Sequence, residues 1–193
     1  ALATALVPSA LGVIAGGAVR AVVEEDLGRP LAEVFASFER RPIAAASIAQ
    51  VHAATLLTGE AVVVKVQRPT VAARVRSDLR VMSWIAPLLV GRIPVAALAN
   101  PPVLVELFAE TITEELDFRL EAENMLDVAQ SCAELGQRGV IIARPHPELV
   151  TRRVLVMERL SGYSFDDLES MQAAGIDTHE VLRRGMAAFT EGC

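Results

Sequence analysis

The sequence lacks a basic surplus, a disulfide framework and, over its first residues, any charge at all. With 18 Lys and Arg against 24 Asp and Glu, the net charge is -6, whereas a binder of phosphate backbones carries a basic face. Nucleic acid is therefore excluded as a partner. Cys132 and Cys193, the 2 cysteines of the chain, lie far apart in neither redox nor metal-ligand spacing, so a reducing, cytoplasmic setting is expected. Residues 1–19 are uncharged. They begin Ala-Leu-Ala without the basic start of a signal peptide, and Pro8, Gly12, Gly16 and Gly17 weaken them as a membrane span; a soluble or membrane-surface helix is expected instead. An initiator methionine is missing too, so the first residue is expected to be a cut boundary.

What is present is globular material. Of the 193 residues, 52% are apolar and 22% charged, enough for one sizeable core or two small lobes. Helical spacing over 18–27 ends at Gly28 and Pro30. Two stretches rich in β-branched residues, 48–57 and 61–67, flank Thr58-Gly59-Glu60 and predict a hairpin. Residues 71–90 have a helical pattern broken by Pro87, Gly91 and Pro94, and Asn100-Pro101-Pro102 marks a loop. One long helix is predicted over 103–135, with no internal proline or glycine and Gly136 at its end. Short strands are predicted at 140–143 and 153–157, around a loop at Pro145-His146-Pro147, and helical sequence resumes at Phe165. This order predicts an α+β fold, an antiparallel sheet with a helix across one face.

The candidate chemistry lies in four segments. Ala44-Ala45-Ala46-Ser47-Ile48-Ala49-Gln50-Val51 keeps the register of the kinase loop G-x-G-x-x-G-x-V, with alanine at each glycine position. Taken singly, three alanines are only a turn. Lys65, 21 positions after Ala44 and ending Val62-Val63-Val64-Lys65, stands where a kinase lysine pairs with the α- and β-phosphates of a nucleotide. The period of two puts Val63, Lys65 and Gln67 on one face and Val62, Val64 and Val66 on the other. Such a lysine needs an acidic partner to offset burial of its charge. Glu114, Asp117 and Glu121, at helical separations of three, four and seven, share a face and are the candidates. Finally, the apolar run Val154-Leu155-Val156-Met157 followed by Glu158-Arg159-Leu160-Ser161-Gly162 has the form of a kinase hinge. There the extended backbone of Glu158 to Leu160 would meet the adenine edge, with Met157 as gatekeeper.

These segments resemble the UbiB-type atypical kinases, a family associated with ubiquinone biosynthesis. The matching text is PIAAASIAQVH from Pro42, VVVKVQRP from Val62, EELDFRLEAEN from Glu114 and LVMERLSG from Leu155. The resemblance implies a kinase-like small lobe with inserted helices, followed by the hinge and the first helices of a large lobe. It implies that Ala44, Ala45, Ala46 and Ser47 lie over the phosphates of ATP or ADP, that Lys65 binds the nucleotide, and that Glu121 is its ion-pair partner. Glu115 and Asp117 match the family's E-x-D motif. Alanine in the loop disfavours the positive φ angles open to glycine, so the loop is expected to sit differently on the phosphates.

The match also has gaps. The family's upstream K-x-G-Q motif does not occur between Ala1 and Ala44, and neither an H-x-D-x-x-x-x-N loop nor a D-F-G turn is present. His146 precedes Pro147-Glu148 and His179 precedes Glu180-Val181, so both are expected to be surface residues. A catalytic loop falls roughly forty to fifty residues past a gatekeeper, which from Met157 runs past Cys193. The Mg²⁺ ligands are expected there as well, and the chain alone is expected to be inactive. The expected organisation is an apolar N-terminal segment at 1–30, a small lobe at 31–160 and the start of a large lobe at 161–193. The function expected is the nucleotide-binding part of an atypical kinase or ATPase supporting isoprenoid-quinone biosynthesis or lipid homeostasis, with a membrane surface or quinone precursors as further partners. A non-catalytic kinase-like interaction module is the alternative.

Overall fold

The computed structural model describes residues 16–90, 100–137, 139–164 and 166–191. Most of the uncharged N-terminal stretch, together with Gly91, Pro94 and Phe165, lies outside them. In chain order the elements are α1 (Gly16–Leu27), β1 (Phe35–Phe38), β2 (Ala44–Ala45), β3 (Ala49–Leu56), β4 (Ala61–Gln67), α2 (Val71–Leu89), α3 (Pro101–Glu115), α4 (Phe118–Glu134), β5 (Pro145–Val150), β6 (Val154–Glu158), α5 (Leu168–Ala173) and α6 (Thr178–Glu191). The strands form one antiparallel sheet in the order β1-β3-β4-β6-β5, with β2 paired to β3.

The alternation of β4 sorts its side chains between two cores. Val62, Val64 and Val66 are fully buried with Val154 and Val156 under α1, whose Val19, Val22 and Val23 complete that layer. Burying each such side chain contributes about 1.5–3 kcal/mol. The opposite face is covered by α4, which brings Phe118 and Ala122 onto Ala49 and Leu155. Lys65 belongs to this second face, between the sheet and α4. The α+β architecture with a helix across an antiparallel sheet is the one the sequence predicts.

Three local expectations are corrected. The single helix expected over 103–135 is two, α3 and α4, parted at Leu116 and Asp117. Asp117 is extended, at φ -124° and ψ 97°, and its carboxylate accepts the Arg119 amide as an N-cap. Phe118 then donates its amide to Arg152 O, in the turn between β5 and β6, at 3.1 Å rather than back along a helix. Glu114, Asp117 and Glu121 therefore do not share one continuous helical face.

The second correction concerns the strand expected at 140–143 and the loop expected at Pro145-His146-Pro147. The strand is instead β5, Pro145–Val150. It ends the sheet order, and an edge strand tolerates the missing N–H of proline. The third concerns Pro87, which lies inside α2 but forfeits the amide bond back to Ser83, and the helix stops two residues later. Short strand β1 and the pairing of β2 are additions that the valine pattern does not announce. Among the described residues no helix is long and apolar enough to cross a membrane.

Candidate functional site

The hairpin positions the alanine segment. Ala44 and Ala45 pair with Val51 and Gln50, and Val51 in turn lies opposite Lys65, so loop and lysine are tied through one ladder. Ala46 donates its amide to Ala49 O at 2.9 Å, which closes the turn through Ser47, an exposed residue. Arg68 Nε donates to Ala46 O at 3.2 Å and fixes the turn from the far end of β4. Positive φ among described non-glycine residues is confined to Asn100. The alanine turn thus adopts a backbone that side chains accept, which answers how three alanines can stand in glycine positions.

Lys65 meets Glu121 through both carboxylate oxygens, at 2.8 and 2.7 Å. The ammonium also lies 4.8 Å from the centre of the Phe118 ring, within cation–π reach. Glu121 stands in the first turn of α4, where the helix dipole favours a carboxylate. The start of that turn is held by side chains and by the sheet together. Asp117 accepts Arg119 Nε at 2.9 Å and Nη2 at 2.6 Å, and this hydrogen-bonded cation, opposed by partial burial, keeps its carboxyl below the usual range. Gln67, buried on the Lys65 face, donates to Leu116 O at 3.0 Å and closes the break between α3 and α4.

Around this pair lies a cleft of about 890 Å³. Ala46 and Ile48 line it from the turn, Lys65 from the sheet, Glu114 and Glu115 from α3, and Asp117, Glu121 and Met125 from the break and α4. An adjoining hollow shares Met125 and Ile142 and reaches Arg144 and Glu158. Met157 is half-buried against the second core and pairs with Pro145, which lines that hollow. Glu158 donates its amide to Arg144 O at 2.8 Å, Arg159 donates to Ala61 O at 3.2 Å, and Leu160 follows half-buried. The predicted residues Ala46, Lys65 and Glu121 thus line one cleft and Glu158 lines its extension, while Met157 packs against the second core. Ala44, Ala45 and Val51 do not line the cleft and are linked to it through the ladder. Phe118, Ile48 and Met125 were outside the sequence expectation, since an apolar side chain lining a cleft has the same pattern as one filling a core.

Phosphoryl transfer needs a magnesium ion. Among the described residues no group of three or more His, Cys, Asp or Glu is placed to hold a metal ion. Of the carboxylates that line the cleft, Glu121 is engaged by Lys65 and Asp117 by Arg119.

The sequence matches the ABC1 atypical kinase-like domain over residues 10–193. It is 40% identical over 173 residues to protein Rv0647c of Mycobacterium tuberculosis, covering 87% of this chain and 34% of that protein. It is 34% identical over 168 residues to the "Probable protein kinase UbiB" of Vibrio parahaemolyticus, covering 86% of this chain and 30% of that one. Among solved structures, the complex of Rv3197 with erythromycin from Mycobacterium tuberculosis is similar at a TM-score of 0.64 and 28% identity, over 80% of this chain and 38% of that one. The chain therefore spans about a third of the length of the curated relatives it matches.

Proposed function

The chain belongs to the ABC1 atypical kinase-like family, and from that premise we propose that its cleft binds an adenine nucleotide, ATP or ADP. The observation that carries this reading is the grip of Glu121 on Lys65 beneath the alanine turn. A lysine held by both oxygens of one carboxylate is fixed in position while one side of its ammonium still faces the cleft, which suits a phosphate. The turn at Ala46 and Ser47 covers the phosphates. Met157 backs the adenine, and because the amides of Glu158 and Arg159 are engaged within the sheet, adenine recognition falls to the backbone at Leu160.

This unit serves an atypical kinase or ATPase, a kinase being the name carried by relatives of which the chain spans about a third. The UbiB name of several relatives supports a place in isoprenoid-quinone biosynthesis or lipid homeostasis, at a membrane surface. Thermal denaturation with Mg-ADP and Mg-ATP tests the nucleotide reading, because a ligand of the folded state at free concentration L stabilises it by RT ln(1 + L/Kd) and so raises the melting temperature. A rise is expected with the wild-type chain and a much smaller one with Lys65→Ala. Equal behaviour of the two, or no rise with either nucleotide, would leave a kinase-like interaction module in its place.

A further inference from the structure

The Lys65–Glu121 pair is assembled across two elements, and a single tight turn holds both. In the turn between β5 and β6, Arg152 O accepts the amide of Phe118 at 3.1 Å, the first residue of the helix that carries Glu121. The next carbonyl, Arg153 O, accepts the amide of Gln67 at 2.9 Å, on the strand that carries Lys65. Two successive carbonyls therefore set the helix and the strand against each other. The turn is locked in its turn by a residue on the opposite face of the sheet. Asp26, near the end of α1, accepts Thr151 Oγ1 at 2.7 Å and the Arg153 amide at 3.2 Å through one oxygen. Its other oxygen accepts Arg153 Nε at 2.7 Å and also meets Arg153 Nη2. Glu25 adds a further contact to the same guanidinium at 3.0 Å. Thr151 Oγ1 accepts the Val154 amide at 3.0 Å, so the Asp26 bond reaches every residue of the turn but Arg152.

We propose that Asp26 is a positioning residue for the Lys65–Glu121 pair, acting from α1 through the Thr151–Arg153 turn. It touches nothing in the cleft. It sets the turn whose carbonyls register β4 against α4, and through them the distance between ammonium and carboxylate. Its consequence for nucleotide affinity rests on the function proposed above.

The experiment compares the chain with Asp26→Asn, with Thr151→Val as the milder variant should the first fail to fold, and with Asp26→Glu, which keeps the carboxylate. Amide hydrogen exchange is measured at Phe118 and Gln67, with Leu56, bonded to Glu60 O at the hairpin tip, as reference. Exchange at Phe118 and Gln67 is expected to quicken with Leu56 unchanged, and Mg-ADP affinity to fall about three- to tenfold; Asp26→Glu should recover part of both. Equal quickening at all three amides overturns the proposal, because Asp26 would then serve stability alone. Unchanged exchange at Phe118 and Gln67, or unchanged Mg-ADP affinity in a chain that binds it through Lys65, overturns it as well. If the wild-type chain binds no Mg-ADP the nucleotide reading fails, and the exchange rates alone decide the positioning claim.

Discussion

Lys65 and Glu121 are 56 positions apart, yet the lysine ammonium lies within 2.8 Å of both carboxylate oxygens of the glutamate. A charge-assisted contact of this kind is directional, so each partner fixes the other. Lys65 is the partner that a phosphate would also use.

The first prediction follows from that shared use. Lys65→Ala should lower Mg-ADP affinity about tenfold or more, and Glu121→Gln somewhat less, because the glutamine still fills the space. Since the two residues act as a unit, the double variant should bind about as weakly as Lys65→Ala alone. Titration with a fluorescent ADP analogue measures all three. Additive losses would mean that the two side chains contact the nucleotide independently.

Much of this site was legible in the sequence. The period of two in Val62 to Gln67 placed Lys65 opposite the aliphatic face, and the hairpin followed from β-branched runs around a glycine. The break at Asp117 was not legible. Helix formers surround it on both sides, and what ends α3 is a set of partners far away in the chain, Gln67 on Leu116 O and Arg152 O for the Phe118 amide. Propensity cannot register such tertiary competition. The strand Pro145–Val150 was hidden for a related reason. Two prolines argue against a strand until the sheet order shows that it lies at an edge.

A second prediction tests the break. Asp117 caps α4 and holds Arg119, and removing an N-cap carboxylate costs about 1 kcal/mol. Asp117→Ala should lower the unfolding free energy by that amount, seen as a lower urea midpoint with an unchanged slope. Asp117→Asn keeps a cap acceptor and should lose less. An unchanged midpoint for Asp117→Ala would show that the bonds to Arg152 and Gln67 start the helix unaided.

Phe118 gives a third. It is fully buried and is the largest side chain of the second core, under the lysine. Phe118→Ala should destabilise the chain by about 3–5 kcal/mol, a large share of the roughly 5–15 kcal/mol that holds a domain together. Phe118→Leu fills much of the volume without the aromatic face. It should cost less stability yet still weaken nucleotide binding, because the lysine loses its cation–π support. Denaturant titration and ADP titration of the same samples separate the two effects.

The last prediction concerns acid. His52 is fully buried on the α1 face of β3, stacked on Phe38 with ring centres 5.3 Å apart. Its Nδ1 lies 2.9 Å from Glu39 O, and since a carbonyl only accepts, Nδ1 carries the proton. Burial lowers its pKa from the ordinary 6.5, and the carbonyl opposes this only in part. Between the lowered folded value and 6.5, the unfolded chain binds more protons than the folded one. Stability from His52 is therefore present above about pH 6.5 and is lost as pH falls through the folded value, by at most about 1.4 kcal/mol per pH unit. Asp26 does not share this window. Burial would raise its carboxyl, but the Arg153 and Thr151 bonds prevail and leave it below 3.8, so its contribution disappears in stronger acid. Denaturant unfolding from pH 7.5 down to 4.5 should show stability falling in the wild-type chain and a shallower fall in His52→Gln, which cannot titrate. Parallel curves for the two would mean that His52 is as easily protonated folded as unfolded.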